Sequence, residues 1–209
     1  MSIPQYVLNA HKVLNTLWST YRGEKIRFPK DAIELVEFGK KATSAWKVQS
    51  SYTDPRDAAQ RQATILFIPM ASIMNTEIAV KITTYVEEKQ FEHVILVSPP
   101  MSRPAKNVLQ KLPEVIWEPL SYDDLKVCVM DNELVPRYRL MSNEECKQFK
   151  PEQMRKMQST DSIVVKSSKK QQITQDPIAR MLGLRTGDMV EITEFNPYTI
   201  VNKSYRVLV

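Results

Sequence analysis

The sequence predicts an α/β (α+β) chain in two domains. Residues 1–130 should form a mixed sheet with flanking helices, residues 131–136 a junction, and residues 137–209 a small two-layer α/β domain. Three observations carry this reading. Short continuous apolar runs alternate with amphipathic stretches between residues 63 and 117, as strands buried among helices do. The run Glu133-Leu134-Val135-Pro136 interrupts that rhythm with an extended, proline-stopped segment. Residues 176–195 then read as a single cap–helix–turn–strand unit.

Gln5 to Thr20 predicts a helix, because Val7, Leu8, His11, Leu14 and Trp18 recur near a 3.6 period. Trp18 suits either the core or a partner contact, and His11 suits packing better than metal ligation. Phe28-Pro29 breaks the chain, and Asp31 to Ala42 predicts a second helix with Lys40-Lys41 at its C-terminal, cation-favouring end. The polar stretch Gln49 to Gln62, with Asp54-Pro55, predicts a loop. Ala63 to Pro69 predicts a buried strand. Asn75 or Thr76 opens a helix to Lys89 with Ile78, Ile82, Tyr85 and Val86 on one face. His93 to Ser98 is a second buried strand, stopped by Pro99-Pro100. Arg103 to Lys111 is a short helix and Val115 to Trp117 a third strand. Strand–helix–strand–helix–strand implies that part of the sheet is parallel, with a right-handed crossover. Ser121 to Leu125 predicts a turn and Lys126 to Met130 a last strand of this domain.

Beyond the junction, Ser142-Asn143-Glu144-Glu145 is a Ser-x-x-Glu capping box that opens a short helix. Glu152 to Met157 suggests another helix, and Ile163-Val164-Val165 either a strand or an extended segment. Asp176 can accept from the free N–H groups of a first helical turn, and Pro177 suits the first helical position. Ile178, Met181 and Leu182 fall on one face, and Gly183 can close the helix in the left-handed conformation. Arg185-Thr186-Gly187-Asp188 predicts a tight turn with positive φ at the glycine. Met189 to Phe195 and Ser204 to Val209 predict strands, the second with Tyr205, Val207 and Val209 on one face.

This stretch, Asp-Pro-Ile-Ala-Arg-Met-Leu-Gly-Leu-Arg-Thr-Gly-Asp-Met-Val-Glu-Ile followed by Tyr205-Arg206, resembles the assembly domain of the fifth subunit shared by the eukaryotic nuclear RNA polymerases. A small subunit of the archaeal polymerase is similar to that domain standing alone. Met181 stands where the family has an aromatic residue and Glu191 where it has lysine. A second family segment is similar to Glu133-Leu134-Val135-Pro136-Arg137-Tyr138, with Tyr138 in place of histidine. A third is similar to Met101-Ser102-Arg103-Pro104-Ala105-Lys106. The family's loop before Tyr205 is replaced here by Glu194 to Asn202, and Asp161 to Thr174 carries Lys166, Lys169 and Lys170.

The resemblance implies a non-catalytic subunit of a DNA-dependent RNA polymerase. Residues 1–130 would be its jaw domain and 137–209 its assembly domain. The largest subunit, with the other polymerase subunits, would be the partner, and downstream duplex DNA would be reached through the complex. Ser102, Arg103 and Lys106 would lie near that DNA, unless this is an ordinary surface loop. The assembly residues it implies are Leu134, Val135, Pro136, Asp176, Pro177, Ala179, Arg180, Gly183, Arg185, Gly187, Tyr205 and Arg206. Arg180 and Arg185 could pair with partner carboxylates or be solvated. Residues 131–209 alone are expected to retain the largest subunit. The drift from the family pattern suggests the copy carried by a large cytoplasmic DNA virus of the African swine fever type. The expected location is then host cytoplasm and virion, or the nucleus for a cellular copy.

Composition narrows the alternatives. Residues 1–130 hold 16 Lys and Arg against 14 Asp and Glu, and residues 131–209 hold 13 against 10. Neither half has the dense basic stripe that independent duplex binding requires. Cys128 and Cys146, with only His11 and His93 to help, do not compose a zinc site, and reduced thiols are expected. No signal peptide, membrane span, cofactor motif or small-molecule site is expected. A metal-dependent nuclease is the competing function, because Glu87-Glu88-Lys89 contains Glu-x-Lys, but a helix end is the wrong setting for converging carboxylates. A free-standing module that binds transcription factors is a third possibility.

Overall fold

The structure is a computed structural model, and it describes residues 2–22, 28–38, 43–56, 58–71, 74–149, 155–157, 177–185, 187–195 and 201–208. The chain divides into two compact units, each built from separate stretches of sequence. The first comprises Met1–Asn15, Ile26–Tyr52 and Arg61–Lys126; the second comprises Thr16–Lys25, Thr53–Gln60 and Val127–Val209. The fold class is the mixed α+β one that the sequence predicts, with one sheet in each unit. No helix among the described residues is long and apolar enough to cross a membrane.

In the first unit, helix α1 (Gln5–Thr16) buries Val7, Ala10, His11 and Leu14 along one face. Asn15 pairs with both backbone groups of Phe28, donating to its carbonyl at 2.8 Å and accepting from its N–H at 2.8 Å. His11 Nε2 also lies 2.8 Å from that carbonyl, and burial pushes the His11 pKa down. This histidine is a packed one.

The expected helix from Asp31 is not formed. A 3-10 turn, Lys30–Ala32, leads instead into strand β1 (Glu34–Phe38), which pairs antiparallel with β2 (Thr43–Thr53) from Glu34↔Lys47 to Phe38↔Thr43. Val36 and Phe38 point into one core while Leu35 is exposed, a period of two where a helix needs 3.6. Residues 39–42 lie outside the described part. The expected loop over Gln49 to Gln62 shrinks likewise, because β2 runs on to Thr53 and β3 begins at Gln60. Trp46, Val48 and Tyr52 are buried at even-numbered positions with part-buried Ser50 between the last two, and the polar residues among them disguise the strand.

Strands β3 (Gln60–Phe67), β4 (His93–Ser98) and β5 (Ile116–Ser121) complete the order β1-β2-β3-β4-β5. β3 and β5 both run parallel to β4. Parallel neighbours need crossovers, and α2 (Thr76–Lys89) and α3 (Arg103–Leu109) supply them. Ala79, Ile82 and Val86 of α2 share a core with Leu66, Ile68, Val94 and Leu96. Every residue of β4 is buried, which explains its uninterrupted apolar run. His93 opens that strand in a hydrogen-bonded chain across the sheet. Its Nδ1 lies 2.6 Å from the Tyr52 hydroxyl and its Nε2 lies 2.9 Å from Glu118 Oε1.

Residues 122–125 form the expected turn, but the expected strand at Lys126 to Met130 is a 3-10 turn, Val129–Asp131. Val127 is 67% exposed there while Met130 is buried, so the segment lacks the alternating buried positions of a strand.

In the second unit, β6 (Arg137–Leu140), β8 (Met189–Glu194), β9 (Asn202–Leu208) and β7 (Arg155–Met157) form a sheet in the order β6-β8-β9-β7. β8 is antiparallel to both neighbours, and β7 joins β9 in parallel. The helix expected at Glu152 to Met157 is therefore corrected for Arg155–Met157, where pairing with Arg206–Leu208 outweighs local propensity. Helix α4 (Asn143–Cys146) begins with the expected capping box, Ser142 and Glu145 bonding each other's backbone N–H. Cys146 and Phe149 cover Met141, Met189 and Val207 on one face of the sheet. The segment Ile163 to Val165 lies outside the described residues.

Candidate functional site

The second unit forms the expected helix and strand of the cap–helix–turn–strand stretch from Pro177 onward, with Thr186 of the expected turn outside the described residues. Asp176 lies outside the described residues, and Pro177 opens helix α5 (Pro177–Met181). Gly183 has φ +60°. The Leu184 N–H donates to Ala179 at 2.9 Å and the Gly183 N–H to Arg180 at 3.0 Å, the paired closure that a left-handed residue permits. Ala179, Met181, Leu182 and Leu184 are buried, whereas Ile178 is only half-buried. Gly187 has φ +96° and open space where a Cβ would stand, so its conformation rather than crowding demands glycine. Its N–H donates to Leu208 at 2.8 Å, and the Leu208 N–H donates to Asp188 at 2.9 Å, fastening the turn to the end of β9.

A five-residue helix makes few internal hydrogen bonds and cannot hold its own geometry. Two arginines from far upstream hold it here. Arg22 follows the π-helical segment Leu17–Tyr21 and is 4% exposed. Its Nε donates to the Met181 carbonyl at 2.7 Å, and its guanidinium carbon lies 4.5 Å from the ring centroid of fully buried Trp18. A cation is thus set against the C-terminal carbonyls of α5, where the helix dipole favours it.

Arg56 comes from the turn between β2 and β3. Its guanidinium grips Asp188 at two points, Nη2 to Oδ2 at 2.7 Å and Nε to Oδ1 at 3.0 Å. Nη2 also donates to the Gly183 carbonyl at 2.9 Å, and Nη1 to Asp54 at 3.2 Å. Asp188 in turn accepts the Arg185 N–H at 2.7 Å. Asp54 is fully buried and accepts from the Arg185 guanidinium at 3.4 Å. Burial alone would push the Asp54 pKa up. The Arg56 N–H and the charges of Arg56 and Arg185 outweigh it and hold that carboxyl below the usual range. Burial would likewise lower the Arg56 pKa, but Asp188 and then Asp54 raise it. Two guanidinium groups and two carboxylates make a mutually neutral cluster, buried around Asp54 and open to solvent at Arg185.

The sequence-derived assembly residues separate into two kinds. Ala179, Gly183 and Gly187 set backbone shape, as described. The Arg185 guanidinium, 30% exposed, is partly taken up by Asp54, and the Arg180 carbonyl accepts from Gly183. The Tyr205 ring packs against Phe149 at 4.6 Å with the planes tilted by 40°, and Arg206 pairs with Val190 on β8. At the junction, Leu134 projects 89% exposed beyond a turn in which its N–H donates to Asn132 Oδ1, while Val135 and Pro136 are half-buried. Tyr21 donates to Asp131 at 2.6 Å nearby, which pushes the phenol up to about 12.

In the first unit, Ser102 caps α3 by accepting from the Ala105 N–H, and its own N–H donates to Met74. Arg103 and Lys106 are exposed at the exit of β4. A bridge between Met74 and Met101 sets the starts of α2 and α3 side by side. Glu87, Glu88 and Lys89 are exposed at the end of α2, and no group of three His, Cys, Asp or Glu that could hold a metal occurs among the described residues.

Arg22, Asp54 and Arg56 are the residues that sequence reasoning misses. Each is more than a hundred positions from its partners in residues 180–188, and only the Asp54-Pro55 turn signal hints at special geometry.

Residues 127–208 match the family described as RNA polymerase Rpb5, C-terminal domain. No curated protein gives a match to the chain. The matched segment contains all four strands of the second sheet and the α5–turn–β8 stretch, and it excludes Trp18, Arg22, Asp54 and Arg56.

Proposed function

We propose that this chain is a non-catalytic structural subunit of a multisubunit DNA-dependent RNA polymerase. It docks on the largest subunit through the second unit and flanks downstream DNA through the first. The match of residues 127–208 to the Rpb5 C-terminal domain carries the reading. The immobilised α5 and Gly187 turn and the exposed Leu134 support docking, since a rigid surface loses little ordering entropy on binding. Exposed Arg103 and Lys106, beside the capped start of α3, support proximity to phosphates. The net charge of +5 suits assistance to a larger DNA-holding assembly.

The source we infer is a large cytoplasmic DNA virus of the African swine fever type, with the protein in host cytoplasm and virion. An alignment that groups the chain with nuclear polymerase subunits would remove that inference and place it in the nucleus.

Reconstitution tests both contacts together. The full chain is expected to elute with the largest subunit, and Arg103→Ala/Lys106→Ala should elute identically. Polymerase carrying the double variant should show a salt slope of template binding shallower by about one to two. An unchanged slope refutes the DNA contact, and separate elution of the wild-type chain refutes docking.

A further inference from the structure

We propose that Arg22 and Arg56 are positioning residues for docking, so that the docking element is completed in cis by two upstream segments outside the Rpb5-type region. This rests on the docking reading above. Arg180, Gly183, Arg185 and Gly187 lie on one short stretch of backbone, from α5 to the start of β8. Arg22 fixes the carbonyl end of α5, and Arg56 fixes both Gly183 and Asp188, the two sides of the turn. Asp188 passes the constraint to the Arg185 N–H at 2.7 Å, and Asp54 holds the Arg185 side chain. With the fork of Arg56 gone, the turn keeps its strands but loses its unique conformation. A partner must then select that conformation from an ensemble, and apparent affinity falls by the populated fraction.

Lysine keeps the charge of either arginine but cannot make two parallel bonds, so it isolates geometry from long-range electrostatics. Full-length wild type, Arg56→Lys and Arg22→Lys are titrated with the largest polymerase subunit, well below every melting temperature. Hydrogen exchange is followed at the amides of Arg185, Gly187 and Asp188 in the free chain. Both variants should bind at least tenfold more weakly. Arg56→Lys should exchange at least tenfold faster at those amides, while the amides of β4 are unchanged. Asp188→Asn should add less than threefold to Arg56→Lys, because both changes break one contact. Variants that bind within twofold of wild type overturn the proposal, as does global unfolding of both lysine variants, which would make the arginines structural only. Failure of wild type itself to bind overturns the docking reading first and this inference with it.

Discussion

Replacing Arg56 with alanine is expected to lower the unfolding free energy by about 3–5 kcal/mol, the cost of stranding buried carboxylates. The side chain is 11% exposed and serves Asp54, Asp188 and the Gly183 carbonyl at once. Asp54 is fully buried and would lose the Arg56 guanidinium, keeping the backbone N–H of residue 56 at 3.1 Å and the Arg185 guanidinium at 3.4 Å. Urea unfolding of the full chain measures the loss, and a change under about 1 kcal/mol contradicts the cluster. The pH dependence has a definite sign. The folded Asp54 pKa is depressed, so its contribution is present above the unfolded value of about 3.9 and disappears as pH falls through the folded value. The acid limb of the stability curve should therefore flatten in Arg56→Ala.

Residues 127–209 produced alone are expected to show no cooperative unfolding transition. A unit of about this size has roughly 4–12 kcal/mol of stability in all. The fragment lacks Trp18, fully buried, whose removal alone costs about 3–5 kcal/mol. It lacks Arg56, with a loss of similar size, and the Arg22 cap on α5 as well. These losses together reach the whole margin. Near-ultraviolet circular dichroism and a thermal melt decide it, and a sharp melt contradicts the composite unit. The full chain, rather than residues 131–209, is accordingly the form in which docking should be measured.

Legibility in the sequence follows the range of the forces involved. The α5–turn–β8 stretch is readable because proline, Gly183 and Gly187 act within four residues of themselves. The Asn75 cap and the Ser142 box are readable for the same reason. β3 and β4 announce themselves by continuous apolar runs. β1 reads as a helix because Ile33 and Val36 fit a helical spacing as well as Val36 and Phe38 fit a strand. β2 is hidden by Gln49, Ser50 and Ser51, polar residues on a strand whose apolar positions are few. β7 depends on β9, about 50 residues away, and carries no apolar alternation of its own. The Arg22 and Arg56 contacts are invisible in principle to local reading. An arginine in a polar loop has the same sequence signature whether it is solvated or grips a carboxylate 132 positions later.

The most direct measurement is affinity purification of the full-length protein from its native source, with the accompanying chains identified and counted. The largest subunit of a DNA-dependent RNA polymerase is expected in equal amount, retained through salt washes that strip free DNA. A protein recovered by itself, or with partners that never include that subunit, would contradict it.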